Sequence, residues 1–234
     1  MRMKCSPFFN VHEYPGNTMA ADKISPTKAI DKFLSFIRVT IEQIWYHLEV
    51  YPHESFSEYM FYQLQVYSSR HPAVIGYTDE LMSNLRKMAN EGILLKLYIE
   101  VYEADSKKYS VGFSFRNSLL FEQLKNDTQF LEYGESQFSF DSFLLINNLK
   151  SFLFSVIQEL NLIEKQPLKE AGNFKILVST TDDVEMSKDD KWILERTYDE
   201  DNRENSLAFK DVKIKSFKEV KLRYLNIEGY IACY

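Results

Sequence analysis

Apolar residues that recur at steps of three and four positions predict a long first helix. Ser25-Pro26 is a typical helix start, because serine caps the first turn and proline needs no backbone N–H there. The stripe that follows stops before Pro52 and contains Ile30, Phe33, Leu34, Ile37, Ile41, Ile44, Trp45 and Leu48. A stripe this wide predicts a helix that is buried on more than one side.

The same helical spacing predicts two more helices. The second runs from Pro72 to Gly92, and its predicted inward face is Val74, Tyr77, Leu81, Leu85 and Met88. The third covers about 138–160, and its inward positions are Phe143, Ile146, Leu149, Leu153, Val156 and Leu160. Residues 52–71, between the first two helices, are predicted to be a connection whose apolar side chains pack down, and short strand pairing within it stays open.

Alternating apolar and polar residues predict the strands. Two alternating runs, 93–101 and 109–115, flank a short polar turn, which is the pattern of a β-hairpin. A third run covers 174–180, and two more are predicted within 212–224. The resulting order of elements predicts an α+β fold in which an antiparallel sheet packs against three helices.

The chain divides into three predicted parts within one domain. Residues 1–25 show no periodicity and are predicted to be an irregular arm. Residues 26–180 carry the helices and most strands and form the predicted core. Residues 181–234 differ in character: 182–204 hold ten acidic and four basic residues around the apolar island Trp192-Ile193-Leu194. A large apolar ring inside such a polar stretch must dock on the domain or cover something bound there.

The balance of charge argues against a protein whose task is to grip phosphate backbones. The formal net charge is −6, which disfavours strong direct binding of nucleic acid. A basic segment exists at 210–223, but its cations alternate with apolar residues, as on any half-buried strand. The two cysteines, Cys5 and Cys233, form no framework and indicate a reducing compartment. No apolar run reaches the about 18 residues of a membrane span, so neither a membrane partner nor a membrane location is expected.

A catalytic constellation is not apparent in the sequence. The four histidines have no partner at a metal-site spacing, and neither a phosphate-binding glycine loop nor a nucleophile motif is found. We therefore predict no catalytic residues, no metal site and no cofactor. The pairs Asp182-Asp183 and Asp189-Asp190 leave one alternative open, a small metal-dependent enzyme, although such runs are usually solvated loops.

Three short motifs, in order, carry a family resemblance. The first helix ends in Val50-Tyr51-Pro52, and Arg70-His71-Pro72 through Tyr77 opens the second. The third motif is Lys191-Trp192-Ile193-Leu194, with lysine where the family has proline. Over about 28–228 the chain resembles the HORMA-domain family and is most similar to the non-catalytic accessory subunits of translesion DNA polymerase zeta.

The resemblance implies a peptide-binding adaptor. HORMA domains hold a partner peptide by strand addition and close a C-terminal safety belt over it. In this chain the belt would be 181–234, and Tyr77 and Trp192 would contact the peptide, which is expected to come from the catalytic subunit of polymerase zeta. A second surface, expected at Ile214, Leu222 and Tyr224, would bind the C-terminal domain of the scaffold translesion polymerase.

The resemblance further implies a role in DNA damage tolerance in the nucleus. A related alternative is another HORMA adaptor, acting in the spindle checkpoint or on meiotic chromosomes. Two other partners stay open at this stage: an AAA+ remodeller and a second copy of the chain in a homodimer.

Overall fold

Three long helices form one layer of the molecule. The computed structural model describes residues 22–116, 118–121, 139–163, 172–181 and 212–234. The helices are α1 (Pro26–His47), α2 (Pro72–Asn90) and α3 (Ser142–Leu162). The predicted start of α1 is confirmed, since the Ser25 side chain accepts a hydrogen bond from the Lys28 N–H at 3.4 Å. Asp141 caps α3 in the same way through the Leu144 N–H.

The described strands form one large antiparallel sheet and two small ones. They are β1 (Lys23–Ile24), β2 (Phe56–Phe61), β3 (Leu64–Ser69), β4 (Leu94–Glu103), β5 (Ser106–Ser114), β6 (Phe140–Asp141), β7 (Gly172–Thr180), β8 (Lys213–Ser216), β9 (Val220–Lys221) and β10 (Asn226–Cys233). The large sheet has the order β7-β4-β5-β10-β8, with β9 also paired to β10. The small sheets are β1-β6 and β2-β3. The predicted α+β class is confirmed, and β1 shows that residues 23–24 of the predicted arm are a short strand.

The core lies between the inner face of the large sheet and the helices. Leu97, Ile99 and Val101 of β4 are all completely buried, as the period of two along a half-buried strand requires. Every member of the predicted α1 stripe is buried, including Phe33 and Trp45, which are inaccessible to solvent. The helix is therefore enclosed on more than one side, as its wide stripe predicts.

A tight reversal after α1 returns the chain to the core. The Val50 N–H donates to the Trp45 carbonyl at 3.0 Å and the Glu49 N–H to the Tyr46 carbonyl at 3.2 Å, which is the Schellman pattern. Glu49 takes the left-handed conformation, with φ of 56°, that this motif usually assigns to glycine. The reversal positions Tyr51 beside the end of the helix it follows.

Most of the predicted connection at 52–71 is the β2-β3 hairpin, so the short strand pairing that the sequence left open there is present. Its turn uses Tyr62 and Gln63, both at positive φ (45° and 65°), the two-residue geometry that matches strand twist. Such turns normally carry Asn-Gly or Asp-Gly, so the sequence lacks the usual signal. The hairpin packs on α1, where the Gln43 amide pairs with both backbone groups of Tyr67.

Two predicted inward residues are in fact exposed. Tyr77 on α2 is 42% exposed, and the buried face of that helix is Val74, Thr78, Leu81, Leu85 and Ala89. Phe143 on α3 is 57% exposed. Both lie beside the stripe, about 100° of helix rotation from a buried neighbour, so a stripe drawn one position too wide includes them.

The C-terminal strands occupy the interior and the far edge of the sheet. β10 lies between β5 and β8, and the predicted strand at 220–224 is shortened to β9, whereas β10 itself was not predicted. β7 and β8 are at opposite edges of this sheet. The chain therefore leaves the sheet at one edge, after Thr181, and re-enters at the other, at Val212.

Candidate functional site

Four aromatic rings converge where α1, α2 and β7 meet. This aromatic cluster consists of Trp45, Tyr51, Tyr77 and Phe174. The Phe174 ring centroid is 5.1 Å from Trp45, 5.7 Å from Tyr77 and 6.1 Å from Tyr51. Trp45 is 5.9 Å from Tyr51 and 6.2 Å from Tyr77, so each ring contacts at least two others at tilted or edge-on angles. The cluster thus forms a rigid apolar wall.

The cluster is graded from buried to exposed. Trp45 is inaccessible, Tyr51 and Phe174 are half-buried, and Tyr77 is 42% exposed. Burial raises the pKa of the Tyr77 hydroxyl, and the neighbouring Tyr51 and Glu80 raise it further. Burial alone raises the pKa of Tyr51. Both hydroxyls therefore keep their protons at neutral pH and can donate hydrogen bonds.

The cluster lies at the beginning of a sheet edge with which no described strand pairs. Phe174 is the third residue of β7, and the inner edge of β7 pairs with β4 along its whole length. Among the residues that the structure describes, no strand pairs with the outer edge of β7. An edge of this kind offers backbone donors and acceptors to an added strand. The Trp45 indole N–H, buried nearby, likewise has no acceptor among the described residues.

Several predicted site residues lie outside the part of the chain that the structure describes. These are Trp192, the two aspartate pairs at 182–183 and 189–190, and the remainder of 182–211. Within the described ranges, no group of three His, Cys, Asp or Glu side chains could hold a metal ion. None of the described helices combines the length and the apolar character needed to cross a bilayer.

The residues expected to form the second surface are placed in different surroundings. Ile214 lies on β8, opposite Ala232 of β10, and is 65% exposed. Leu222 and Tyr224 follow β9 and pack partly against the core. The Tyr224 ring is 4.4 Å from Phe140, and its hydroxyl donates to the Asp141 carbonyl at 3.4 Å.

The structure separates Ile214 from the other two residues. On β10, Ala232 pairs with Ile214 of β8, and Ile227 pairs with Val220 of β9. These two positions are five residues apart along the strand, which corresponds to about 16 Å. Burial, followed by the charge of Asp141, raises the pKa of Tyr224 to about 12. Tyr224 therefore has a structural role in addition to any exposed surface.

Sequence reasoning assigned Tyr77 to the site but missed its three neighbours. Trp45 was placed only in the core stripe, Tyr51 only in a motif and Phe174 only in a strand. Nothing in the order of residues brings positions 45, 51 and 174 together, because their contact depends on which edge of the sheet β7 occupies. Two aromatic residues flanking the end of one helix were the available signal.

Comparison with known proteins identifies the fold. Neither a protein-family model nor a curated protein matches the chain. Among solved structures, a chain of a mitotic checkpoint complex has a TM-score of 0.64 at 14% identity, over 88% of this chain and 99% of that one. HTP-2 bound to HTP-3 motif-6 has a TM-score of 0.63 at 12% identity, over 90% and 92%. C. elegans HTP-1 bound to the HIM-3 closure motif has a TM-score of 0.62 at 12% identity, over 89% and 91%.

These neighbours are HORMA-domain proteins, and the chain has their fold. The identities are too low to transfer any residue's role from one chain to another.

Proposed function

We propose that this protein is a non-catalytic HORMA adaptor that captures an extended peptide of a partner protein. The peptide adds as a strand to the outer edge of β7, and the aromatic cluster receives one of its apolar side chains. Tyr77 is the anchor, because it is the most exposed ring of the cluster. Two of the structural neighbours were solved with a bound motif, which supports the same mode of binding here.

One observation carries the proposal: an edge strand that no described strand pairs with on its outer side begins beside a wall of aromatic rings. Strand addition supplies affinity through backbone hydrogen bonds, and a side-chain pocket supplies specificity. The connection between Thr181 and Val212, which starts at this edge and ends at the opposite one, contains Trp192 and is the proposed safety belt. Closure of such a segment over the peptide would slow its dissociation.

The finer assignment is the accessory subunit of translesion DNA polymerase zeta, acting in DNA damage tolerance in the nucleus. Its support is the order of the three sequence motifs around Tyr51, Tyr77 and Trp192. The captured peptide then belongs to the polymerase's catalytic subunit. The scaffold translesion polymerase would bind through its C-terminal domain on the surface that includes Ile214, Leu222 and Tyr224.

The proposal is tested by peptide binding with a truncated anchor. Overlapping peptides of the polymerase catalytic subunit are titrated against the wild-type protein and against Tyr77→Ala. We expect one peptide to bind the wild type, and Tyr77→Ala to weaken it by about 2–4 kcal/mol, the usual cost of removing an aromatic anchor. Met60→Ala is the control, because Met60 is 66% exposed on β2, in a different sheet.

The result also separates the alternatives. Capture of a spindle-checkpoint or meiotic-chromosome motif, with no binding of polymerase peptides, would move the protein to another HORMA pathway. Equal affinities for Tyr77→Ala and the wild type would contradict the assigned peptide site. Trp192→Ala extends the test to the belt, where we expect faster dissociation of the peptide.

A further inference from the structure

The face of the large sheet that points away from the helices carries four tyrosines. Because Leu97, Ile99 and Val101 of β4 point into the core, the alternate residues Tyr98 and Tyr102 point outward. The same alternation along β10 turns Tyr230 outward, and Tyr234 follows it. Unlike the tyrosines near α1, these four do not pack against the hydrophobic core. We call Tyr98, Tyr102, Tyr230 and Tyr234 the tyrosine face.

The strand register places these rings next to one another. Tyr98 and Tyr230 are both directly opposite Gly112, which lies between them on β5. Two strand spacings, about 9–10 Å, separate their backbones. The phenol end of Tyr230 lies across Gly112: a Cβ at that position would be 2.8 Å from the ring. Glycine therefore lets this ring approach the sheet surface closely.

A lysine ammonium group lies over each of three tyrosine rings. The ammonium nitrogens of Lys96, Lys107 and Lys175 are 5.8, 5.7 and 5.5 Å from the ring centroids of Tyr98, Tyr234 and Tyr102, respectively. Two carboxylates share this face. Glu100 is buried, forms an ion pair with Lys107 and accepts a hydrogen bond from the Tyr102 hydroxyl at 2.5 Å. Glu228 is exposed, in the row of Lys96.

We propose that the tyrosine face binds single-stranded nucleic acid: bases displace the lysines from the rings and stack there, and the displaced ammonium groups pair with phosphates. Sheet-borne aromatics stack two or three bases in RNA-recognition domains, and single strands are the form whose base faces are accessible. A protein partner packed on this face would have to desolvate the ammonium groups of Lys96 and Lys175, whereas phosphates replace their hydration with charge. At Lys107 a phosphate would compete with Glu100. The observations therefore favour a nucleic acid over a protein.

This site is separate from the peptide edge, and the two proposals stand or fall independently. Tyr98 and Tyr230 face away from the helices, whereas Tyr77 and Phe174 lie on the helix side. Three cations of the described residues contribute, and the chain carries a net charge of −6, so binding by the isolated chain is expected to be weak. Weak binding agrees with the expectation from the sequence that the chain does not bind nucleic acid strongly. The proposal adds that the bases must be exposed, as in a single strand.

Fluorescence anisotropy with labelled oligothymidine of about 15 nucleotides tests the inference. We expect saturable binding that weakens roughly twentyfold between about 50 mM and about 200 mM salt, the change expected for three phosphate contacts to a single strand. Tyr98→Ala with Tyr230→Ala should lower the affinity at least about tenfold, while the corresponding Phe substitutions, which keep the rings, should leave it near the wild-type value. Oligouridine in a parallel titration shows whether a 2′-hydroxyl changes the affinity.

Two controls make the outcome decisive. The test variant removes the three lysines of the site together: Lys96→Ala, Lys107→Ala and Lys175→Ala. The charge-matched control removes three exposed lysines outside the large sheet: Lys23→Ala, Lys28→Ala and Lys87→Ala. Thermal melting and circular dichroism on the same samples show that each variant is folded. No binding by the wild type, equal losses in the two lysine sets, or duplex bound as tightly as single strand would overturn the proposal.

Discussion

A buried carboxyl group on α1 makes the stability of this protein depend on pH. The Glu42 side chain is 1% exposed and is 3.7 Å from Arg38, which itself donates to Asp79 at 2.6 Å. Burial raises the pKa of Glu42, and the weaker effects of Ser68 and Arg38 oppose it. The folded chain thus holds this proton more tightly than the unfolded chain. Stability present below the ordinary pKa of 4.5 is lost as the pH rises through the raised value.

Glu42→Gln should abolish that part of the pH dependence. We expect the variant to be more stable than the wild type at neutral pH, on the order of 1 kcal/mol, because the amide carries no charge to desolvate. Arg38 keeps Asp79 as its partner. Urea unfolding near pH 5 and pH 7.5 measures the effect, with exposed Glu58→Gln as the control. A variant less stable than the wild type at both pH values would show that pairing with Arg38 outweighs burial.

At the scale of single residues, sequence patterns predicted helix starts well and orientations near the stripe edge poorly. Ser25 and Pro72 mark the starts of α1 and α2 through local chemistry, so their roles can be predicted from neighbouring residues in the sequence. Tyr77 points outward because its neighbour Thr78 points into the core. Threonine occurs both in cores and on surfaces, so the residue type alone does not show that Thr78 is buried. The Thr78 hydroxyl donates a hydrogen bond to the Val74 carbonyl within α2, so this donor has a partner although it is buried.

At the scale of elements, one side chain joins the β2-β3 hairpin to α1. The Gln43 amide donates to the Tyr67 carbonyl at 2.8 Å and accepts from the Tyr67 N–H at 3.1 Å. It thus acts as one residue of an additional strand on the edge of β3. The stacked rings of Tyr46 and Tyr67, 3.6 Å apart, lie over the same junction.

Gln43→Ala should loosen the hairpin without unfolding the helices. Two backbone groups of Tyr67 would lose their partners, at a cost of about 1–3 kcal/mol if they stay buried. We expect faster amide exchange across β2 and β3, with the rates in α3 little changed, measured by hydrogen exchange. Gln65→Ala, on the exposed side of the same hairpin, is the matched control. Uniform acceleration across the whole domain would mean that the hairpin and the helices unfold together.

Elements with regular periodicity were predictable, whereas the β2-β3 hairpin was predicted only as a connection that could include short strand pairing. Apolar and polar residues alternate clearly on both sides of the turn between β4 and β5, so this hairpin was predicted. The β2-β3 hairpin turns through Tyr62 and Gln63, residues that seldom adopt positive φ. Its position is decided by contacts with α1, which a scan along the sequence cannot detect.

At the scale of the whole molecule, the proposed second surface has one accessible probe. Ile214 is 65% exposed, whereas the Tyr224 ring and hydroxyl are engaged by Phe140 and Asp141. A change at Tyr224 would therefore affect folding and binding at once. Ile214 can be changed with little effect on the folded chain.

Ile214→Asp should weaken binding of the scaffold polymerase's C-terminal domain by more than about 1 kcal/mol, because a charge would replace an apolar contact. Calorimetry measures the loss, and the melting temperature and the affinity for the captured peptide should stay near the wild-type values. Met60→Asp provides a control of equal exposure (66%) on the separate hairpin. Unchanged binding would remove Ile214 from the interface.

The arrangement of strands in the large sheet could not be predicted from the sequence. Alternation identified β4, β5, β7 and β8, yet it carries no information on which strand lies beside which. The position of β10 between β5 and β8 leaves β7 at the opposite edge, and the candidate peptide site depends on that order.

The same position of β10 has a consequence for biosynthesis. β5 ends at residue 114, and its partner strand begins at residue 226. At about 5–20 residues per second, the ribosome needs roughly 6–22 s to make the intervening chain. Throughout that interval the nascent β4-β5 hairpin offers an open edge on the side that β10 later covers. Until β10 is made and covers it, that edge can pair with other extended chain, so this interval is the one in which the domain is most exposed to mispairing.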